Sequence, residues 1–317
     1  MPILEKATVA DCARKFGGRV LPKTRSIDWE PEGRVLNKEA LKMYKVARND
    51  ISKYNYALNF SSESGKATLK RLGIKSKAEV YRRISAARQK ILTIKPTKDL
   101  HFDPVNNVYS KKRAELHDRI VTHLVKDGTV AAPGEARALL TGGLPGSGKS
   151  SMMKSAVYMN RPYRYVKLDS DRIKRLLARV DGIPKLTYQA GAYHAESNDI
   201  LNRALKRAVA ENRYVLYDGT MHSEGKIIKA LGNFKKAGYY TEAAFADLPM
   251  EKSIERAVAR FLGKEGRFVD PIYVASNGTH NINNFNKLKK EFSEWRHWNT
   301  DVPYGETAKL KAAGGAA

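Results

Sequence analysis

The stretch Gly143-Leu144-Pro145-Gly146-Ser147-Gly148-Lys149-Ser150-Ser151 constrains this chain more than any other. A glycine-rich turn between a strand and a helix points several backbone N–H groups into one concavity, and the helix N-terminus adds the positive end of its dipole. That is an anion site. In the spacing Gly143-x-x-x-x-Gly148-Lys149-Ser150 the lysine reaches the β- and γ-phosphates of a nucleotide and the Ser150 hydroxyl ligates Mg²⁺. Such a loop works only between a buried strand and a helix. Ala136 to Thr141 reads as that strand and Lys149 to Met159 as that helix.

Past the loop, strands and helices alternate. Arg164 to Leu168, Tyr214 to Tyr217 and Tyr240 to Ala246 read as strands. Asp169 to Ala178, Gln189 to Glu211, Glu224 to Lys236 and Met250 to Leu262 read as helices. Alternation of this kind predicts an α/β fold with a mostly parallel sheet, whose strand C-termini share one edge. Asp169, Asp218 and Asp247, each near a predicted strand end, should therefore lie on the phosphate side. Before the loop the pattern is helical: about Asn37 to Ala57, Ser76 (as N-cap) to Leu92, and Lys111 to Lys126, which stops at Asp127-Gly128. Pro96 and Pro104 mark a connector from Thr93 to Asn107. The expected division is a basic, mainly helical region over 1–105, the phosphate-loop domain over 106–299 and a flexible tail over 300–317.

The 317 residues carry a formal charge of +25, and residues 1–100 hold 23 Lys and Arg against 10 Asp and Glu. From Lys66 to Lys90 nine cations stand against the lone acid Glu79. Nucleic acid or another polyanion is a natural partner for such a surface, and general solvation is the plainer alternative. The single cysteine, Cys12, excludes an internal disulfide and a cysteine-rich zinc site. The chain start lacks a basic region followed by an apolar one, and no apolar run approaches membrane-spanning length, so a cytoplasmic protein with no membrane partner is expected.

Phosphoryl transfer needs Mg²⁺, cations around the transferred group and a carboxylate facing the acceptor hydroxyl. Asp169 and Asp171 stand at a strand-to-helix junction; the alternative for them is helix capping and a favourable charge in the first turn. Asp218 ends a strand, where it can face the magnesium ion; the alternative is a plain Asp-Gly turn before Thr220. Arg256 and Arg260 share a helix face, and Arg267 follows in Gly263 to Phe268, a segment of a length to close over bound nucleotide. Glu196 borders the apolar stripe Tyr193, Ile200, Leu201, Ala204 and can bond substrate hydroxyls or face water. The histidines show no paired metal-ligand spacing, so no zinc is expected.

With these motifs in order, namely Gly142 to Ser150, Leu168-Asp169-Ser170-Asp171, His194-Ala195-Glu196-Ser197, Tyr217-Asp218-Gly219-Thr220, Gly238-Tyr239 and the group Arg256, Arg260, Gly266-Arg267, the chain from about Tyr109 to Lys290 resembles the zeta toxin family. These are P-loop kinases related to UDP-N-acetylglucosamine kinase. The resemblance implies a three-layer P-loop NTPase fold and transfer of the γ-phosphate of ATP or GTP to an alcohol of a small molecule, UDP-N-acetylglucosamine by default. It implies Asp171 as general base, Lys149 and Ser150 on phosphates and Mg²⁺, Asp218 as the acid after the central strand, and Arg260 and Arg267 neutralising the transferred group. The loop residues Gly143, Leu144, Pro145, Gly146, Ser147, Gly148 and Ser151 would line the nucleotide, while Asp169, Glu196, Asp218 and Thr220 would line the acceptor. An antitoxin-like protein is a further implied partner. The basic N-terminal region departs from the family pattern. Two alternatives remain: a polynucleotide 5′-hydroxyl kinase, and a nucleotide-binding, DNA-associated structural protein without turnover.

Overall fold

The computed structural model describes residues 57–303 and 306–315, with backbone alone at Leu92 and Ser276, and the backbone of two short strands nearer the start. The chain divides into two compact units, Met1–Asn55 and Tyr56–Ala317. In the first, β1 (Arg19–Val20) and β2 (Ile27–Asp28) pair antiparallel. The helix expected over Asn37 to Ala57 lies outside the described residues, apart from its last.

The second unit begins before the expected boundary at 105/106. It opens with α1 (Glu63–Arg71) and α2 (Lys77–Leu92), each started by a serine cap: Ser62 Oγ accepts from the Gly65 N–H and Ser76 Oγ from the Glu79 N–H. The proline-marked connector is more ordered than expected. It holds a short helix α3 (Thr97–His101) and a hairpin of β3 (Phe102–Asp103) with β4 (Val108–Tyr109), because Asp103 takes up the Val105 and Asn106 N–H groups in the turn. Helix α4 (Lys111–Lys126) buries Leu116, Ile120, Leu124 and Val125 along one face.

Six strands form the sheet: β5 (Arg137–Gly142), β6 (Val166–Asp169), β7 (Val215–Asp218), β8 (Tyr240–Asp247), β9 (Glu294–Asn299) and β10 (Lys309–Gly314). Their spatial order is β10-β9-β8-β5-β7-β6, and all pairs are parallel except β10 with β9. With a strand on each side, β5 is buried from Ala138 onward, which is why it reads as a continuous apolar run. Register sets Asp169 opposite Asp218, and Gly142 opposite Phe245, so the strand tips meet at the loop edge as expected.

Helices α9 (Glu224–Lys236) and α10 (Met250–Leu262) and the earlier α4 occupy the predicted spans. The helix expected over Lys149 to Met159 is instead two single turns, α5 (Lys149–Met152) and α6 (Ala156–Met159). Ser155 breaks it by taking an extended backbone, in a serine-rich stretch that competes poorly for helix. After α7 (Ser170–Val180), the helix expected from Gln189 begins only at His194, as α8 (His194–Ala210); Tyr188–Gly191 forms a 3-10 turn with Gly191 at its end. Two further helices, α11 (Pro271–Asn277) and α12 (His280–Leu288), precede β9. The tail expected to be flexible supplies β10, whose Lys309 lies opposite Asn299 and whose Gly314 lies opposite Trp295. Among the described residues no helix is long and apolar enough to cross a membrane.

Candidate functional site

Three glycines shape the loop after β5. Gly143, Gly146 and Gly148 adopt φ of 124°, 91° and 83°, conformations that L side chains rarely take. Their crowding differs. A Cβ on Gly143 would stand 2.5 Å from the Ala246 carbonyl oxygen and 2.6 Å from Ser147 Oγ, and one on Gly146 would stand 2.5 Å from the Ser253 carbonyl oxygen. The Gly143 N–H donates to Thr220 O at 3.3 Å, so this amide ties the loop to the end of β7. Leu144 is buried and Pro145 half-buried, and Ser150 and Ser151 are exposed at the start of α5. Ser147 Oγ is buried without a protein partner. Gly143→Ala should therefore lower nucleotide affinity by about tenfold or more, through strain of about 1–3 kcal/mol at this backbone position. Calorimetric titration with ATP checks it, and unchanged affinity would show that the loop tolerates a side chain there.

Lys149 lies half-buried with Nζ donating to Gly143 O at 3.2 Å. Burial holds its ammonium below the usual lysine range, while Asp218 and Asp171 oppose that shift and Arg260 and Arg267 add to it. Five charged groups, from four elements and the loop after α10, thus share one field. Asp171, in the first turn of α7, receives Arg267 Nη1 at 2.5 Å and Lys174 Nζ at 3.3 Å. Burial would raise the Asp171 carboxyl, but Lys174 and Arg267 outweigh it and hold the group below its ordinary value, hence ionised at neutral pH.

Asp169 keeps the capping role given as its alternative, since Oδ1 accepts from the Asp171 N–H at 2.8 Å. Its pKa is raised by burial first, then by the nearby Asp218 and Asp171 charges. Asp218 Oδ1 accepts from Thr141 Oγ1 at 2.6 Å, and Thr141 Oγ1 in turn accepts from the Gly219 N–H at 3.2 Å. The Asp169 and Asp218 carboxylates repel each other at neighbouring strand tips, a pairing that fits a divalent cation. Among the described residues no group of three or more His, Cys, Asp or Glu is placed to hold a metal alone, so phosphate oxygens would have to complete the ion's shell.

Arg260 and Arg267 carry the most telling atoms. Nε and Nη2 of Arg260 and Nε of Arg267 are buried with no hydrogen-bond partner, although guanidinium N–H groups are strong donors. Glu265 stays 3.7 Å from each Nε, beyond hydrogen-bond reach. Arg256 is separate: its Nη1 donates to Thr300 O at 3.1 Å behind Gly148, a structural contact. Beside Arg267 lies a cavity of about 230 Å³ lined by Arg175, Arg179, Lys185 and Glu265. These cations, and Lys174 and Thr141, were not singled out in the sequence. Lys174 was legible as the i+3 partner of Asp171; the others needed the fold.

Glu196 is not brought to this site. It is fully buried and bonded to Arg113 Nε at 2.5 Å, Arg113 Nη2 at 2.9 Å and His117 Nε2 at 2.6 Å, and Arg113 also grips Asp181. The acceptor role implied for Glu196 by resemblance thus gives way to a structural one, because α4 covers it. Thr220 reaches the site through its backbone: its carbonyl oxygen accepts from the Gly143 N–H and from Asn281 Nδ2, at 2.6 Å for the latter. Asp247, at the tip of β8, pairs with His297 and Lys311, both at 3.0 Å.

Comparison with known proteins bears on the family and the fold. The zeta toxin family model matches residues 122–301, more than half of the chain. No curated protein matches in a sequence search. Among solved structures, the AvrRxo1-ORF1:AvrRxo1-ORF2 complex with sulphate ions aligns at TM-score 0.56 and 14% identity, covering 70% of this chain and 77% of that one. The same complex with ATP aligns at 0.54 and 14%, with the same coverage. A chain of the PezAT chromosomal toxin–antitoxin system of Streptococcus pneumoniae aligns at 0.45 and 16%, covering 61% and 79%.

Proposed function

Because the chain belongs to the zeta toxin family of P-loop kinases, we propose that it transfers the γ-phosphate of ATP or GTP to a hydroxyl of a small anionic molecule, with UDP-N-acetylglucosamine the first acceptor to test. The observation that carries this reading is the set of buried, unpartnered guanidinium N–H groups on Arg260 and Arg267, in one electrostatic cluster with Lys149. Buried donors without acceptors call for a ligand that supplies oxygens, and a triphosphate supplies them. The AvrRxo1 complex with ATP is a relative in fold that supports the choice of nucleotide.

In this reading Lys149 holds the phosphates, and Ser150 with Asp218 would hold Mg²⁺, which neutralises charge on the phosphate oxygens. The ionised Asp171 accepts a hydrogen bond from the acceptor hydroxyl. As the new oxygen–phosphorus bond forms, the bond from the γ-phosphorus to the bridging oxygen breaks, the nucleoside diphosphate leaves, and the hydroxyl proton passes to Asp171. Arg267, already on Asp171, stands where the donor and acceptor meet, and Arg260 adds its free N–H groups to the transferring oxygens. The cavity beside them, with Arg175, Arg179 and Lys185, favours an acceptor carrying its own phosphates.

The exposed side chains of Lys70, Lys75, Lys77, Arg82, Arg83 and Lys90 along α1 and α2 favour one second reading, a polynucleotide 5′-hydroxyl kinase whose strand lies on that face. An antitoxin-like protein partner is proposed from membership of the zeta toxin family. One assay separates the acceptors. Incubation with γ-labelled ATP and Mg²⁺, with UDP-N-acetylglucosamine and a 5′-hydroxyl oligonucleotide offered in parallel, should label the sugar nucleotide. Asp171→Asn should slow that labelling by about 10²–10⁴-fold while ATP still binds. Label on the oligonucleotide alone would install the second reading; nucleotide binding without any product would leave a binding protein.

A further inference from the structure

Helices α1 and α2 precede residues 122–301, the segment matched by the family, yet they grip both ends of the stretch that carries the two arginines. At its start, Glu255 of α10 is buried, and both carboxylate oxygens accept from Ser62 Oγ, at 2.9 and 2.8 Å. Ser62 is also the N-cap of α1, so one hydroxyl fixes helix to helix. The approach is close: a Cβ on Gly65 of α1 would stand 3.0 Å from Glu255 Oε1. Further along, a Cβ on Gly263, just past Arg260, would stand 3.3 Å from Leu72 at the end of α1.

At the far end, Arg88 of α2 makes a two-pronged pair with Asp270, Nε to Oδ2 and Nη2 to Oδ1, both at 2.8 Å. Asp270 in turn caps α11 by accepting from the Ile272 N–H at 2.9 Å. Between these two anchors the chain runs through Arg260, Gly266 and Arg267 to Phe268, which packs edge-on against Phe261 at 4.9 Å. The same helix α2 reaches the opposite wall, where Lys90 lies 5.2 Å from the Tyr188 ring in the 3-10 turn. Next to that turn, Thr187 O accepts from the Phe268 N–H at 3.3 Å. The arginine stretch is thus held at its two ends by helices outside the family segment, and at its side by Thr187, inside that segment, next to the turn on which Lys90 rests.

We propose that α1 and α2 are a brace for phosphoryl transfer, with Ser62 and Arg88 as positioning residues that act through Arg260 and Arg267. The proposal rests on the kinase reading for its functional half. A bidentate arginine–carboxylate pair fixes direction as well as distance, which is what a stretch holding unpartnered guanidinium groups requires. Two like-charged arginines side by side repel, and ends that are clamped keep them from parting before the triphosphate arrives.

The test uses the full chain and two readouts. Hydrogen–deuterium exchange comes first, because it needs neither nucleotide nor acceptor. In Arg88→Ala and Ser62→Ala, amides of residues 263–270 should exchange about tenfold faster than in the unaltered protein, while those of β5 and α8 keep their rates. Arg88→Lys should fall between. Second, the tighter binding of ATP over ADP, which reports contacts to the γ-phosphate, should shrink about tenfold in Arg88→Ala, and Arg88→Ala combined with Arg267→Ala should shrink it no further than Arg267→Ala alone. Unchanged exchange in 263–270 overturns the brace. Faster exchange with an unchanged ATP to ADP ratio overturns its role in phosphate contact, and full additivity in the double variant does the same. Failure of the kinase reading is visible separately, as absence of label transfer from γ-labelled ATP by the unaltered protein.

Discussion

Arg260→Ala should slow phosphoryl transfer by about 10³-fold or more and leave the protein at least as stable as before. The two halves have one cause. Arg260 has two buried guanidinium nitrogens with no partner, its closest carboxylate is Glu265 at 3.7 Å, and Arg267 adds a like charge nearby. Burial first, and then Arg267, lower its pKa. A cation held this way is a liability in the free protein, so removing it costs little and can return about 1 kcal/mol. In the transition state the same N–H groups meet charge on the transferring phosphoryl, where an arginine contributes about 10³–10⁵ to the rate. Arg267→Ala should behave differently, because it also breaks the pair with Asp171 and so loses stability along with rate. Single-turnover transfer of label and a thermal melt on the two variants check this. A loss of rate in Arg260→Ala that merely follows a lower melting temperature would sink the assignment.

Glu196→Ala should destabilise the protein by about 3–5 kcal/mol, since it strands Arg113 with Asp181 alone and leaves His117 without its acceptor. Glu196→Gln keeps the volume and loses the charge, and should fall between. The pH dependence follows from the same contacts. Burial would raise the Glu196 carboxyl, but hydrogen bonds from His117, Arg113 and Thr97 outweigh it and lower the pKa to about 2, against an ordinary 4.5. A depressed carboxylate contributes its stability fully above pH 4.5 and loses it as pH falls toward 2. That contribution is about 3 kcal/mol, since each tenfold gain in acidity on folding corresponds to about 1.4 kcal/mol. Urea titrations at pH 7 and pH 3 should therefore show a steep loss in the parent and a shallower one in Glu196→Ala. A Glu196→Gln variant as stable as the parent at pH 7, with a raised acceptor KM instead, would return Glu196 to the acceptor site.

Much of the fold was legible because its signals are local. Helices α4, α9 and α10 match their predicted spans, where apolar periodicity and terminal residues agree. Strand β9 was not legible, because Glu294-Trp295-Arg296-His297-Trp298-Asn299 mixes charge and aromatic residues with no apolar run. Strand β10 is poorer still in strand-forming residues and exists by pairing with β9. At the site, the ordered motifs placed Lys149, Asp171, Arg260 and Arg267 together, and the structure puts them in one field. Glu196 sits at the same kind of position along its helix, yet its partners lie 83 and 79 residues away and turn it into an interior anchor.

The amino-acid sequence alone determined the phosphate loop, the strand that leads into it, the parallel alternation and the family, since each depends on residue type at short spacing. Tertiary structure alone decided which charges are paired. Asp171 meets Arg267 from 96 residues away, and Arg88 meets Asp270 from 182. A charged side chain carries no record in its neighbours of whether water or a distant partner will neutralise it; packing brings the partner, and packing is set by the whole chain.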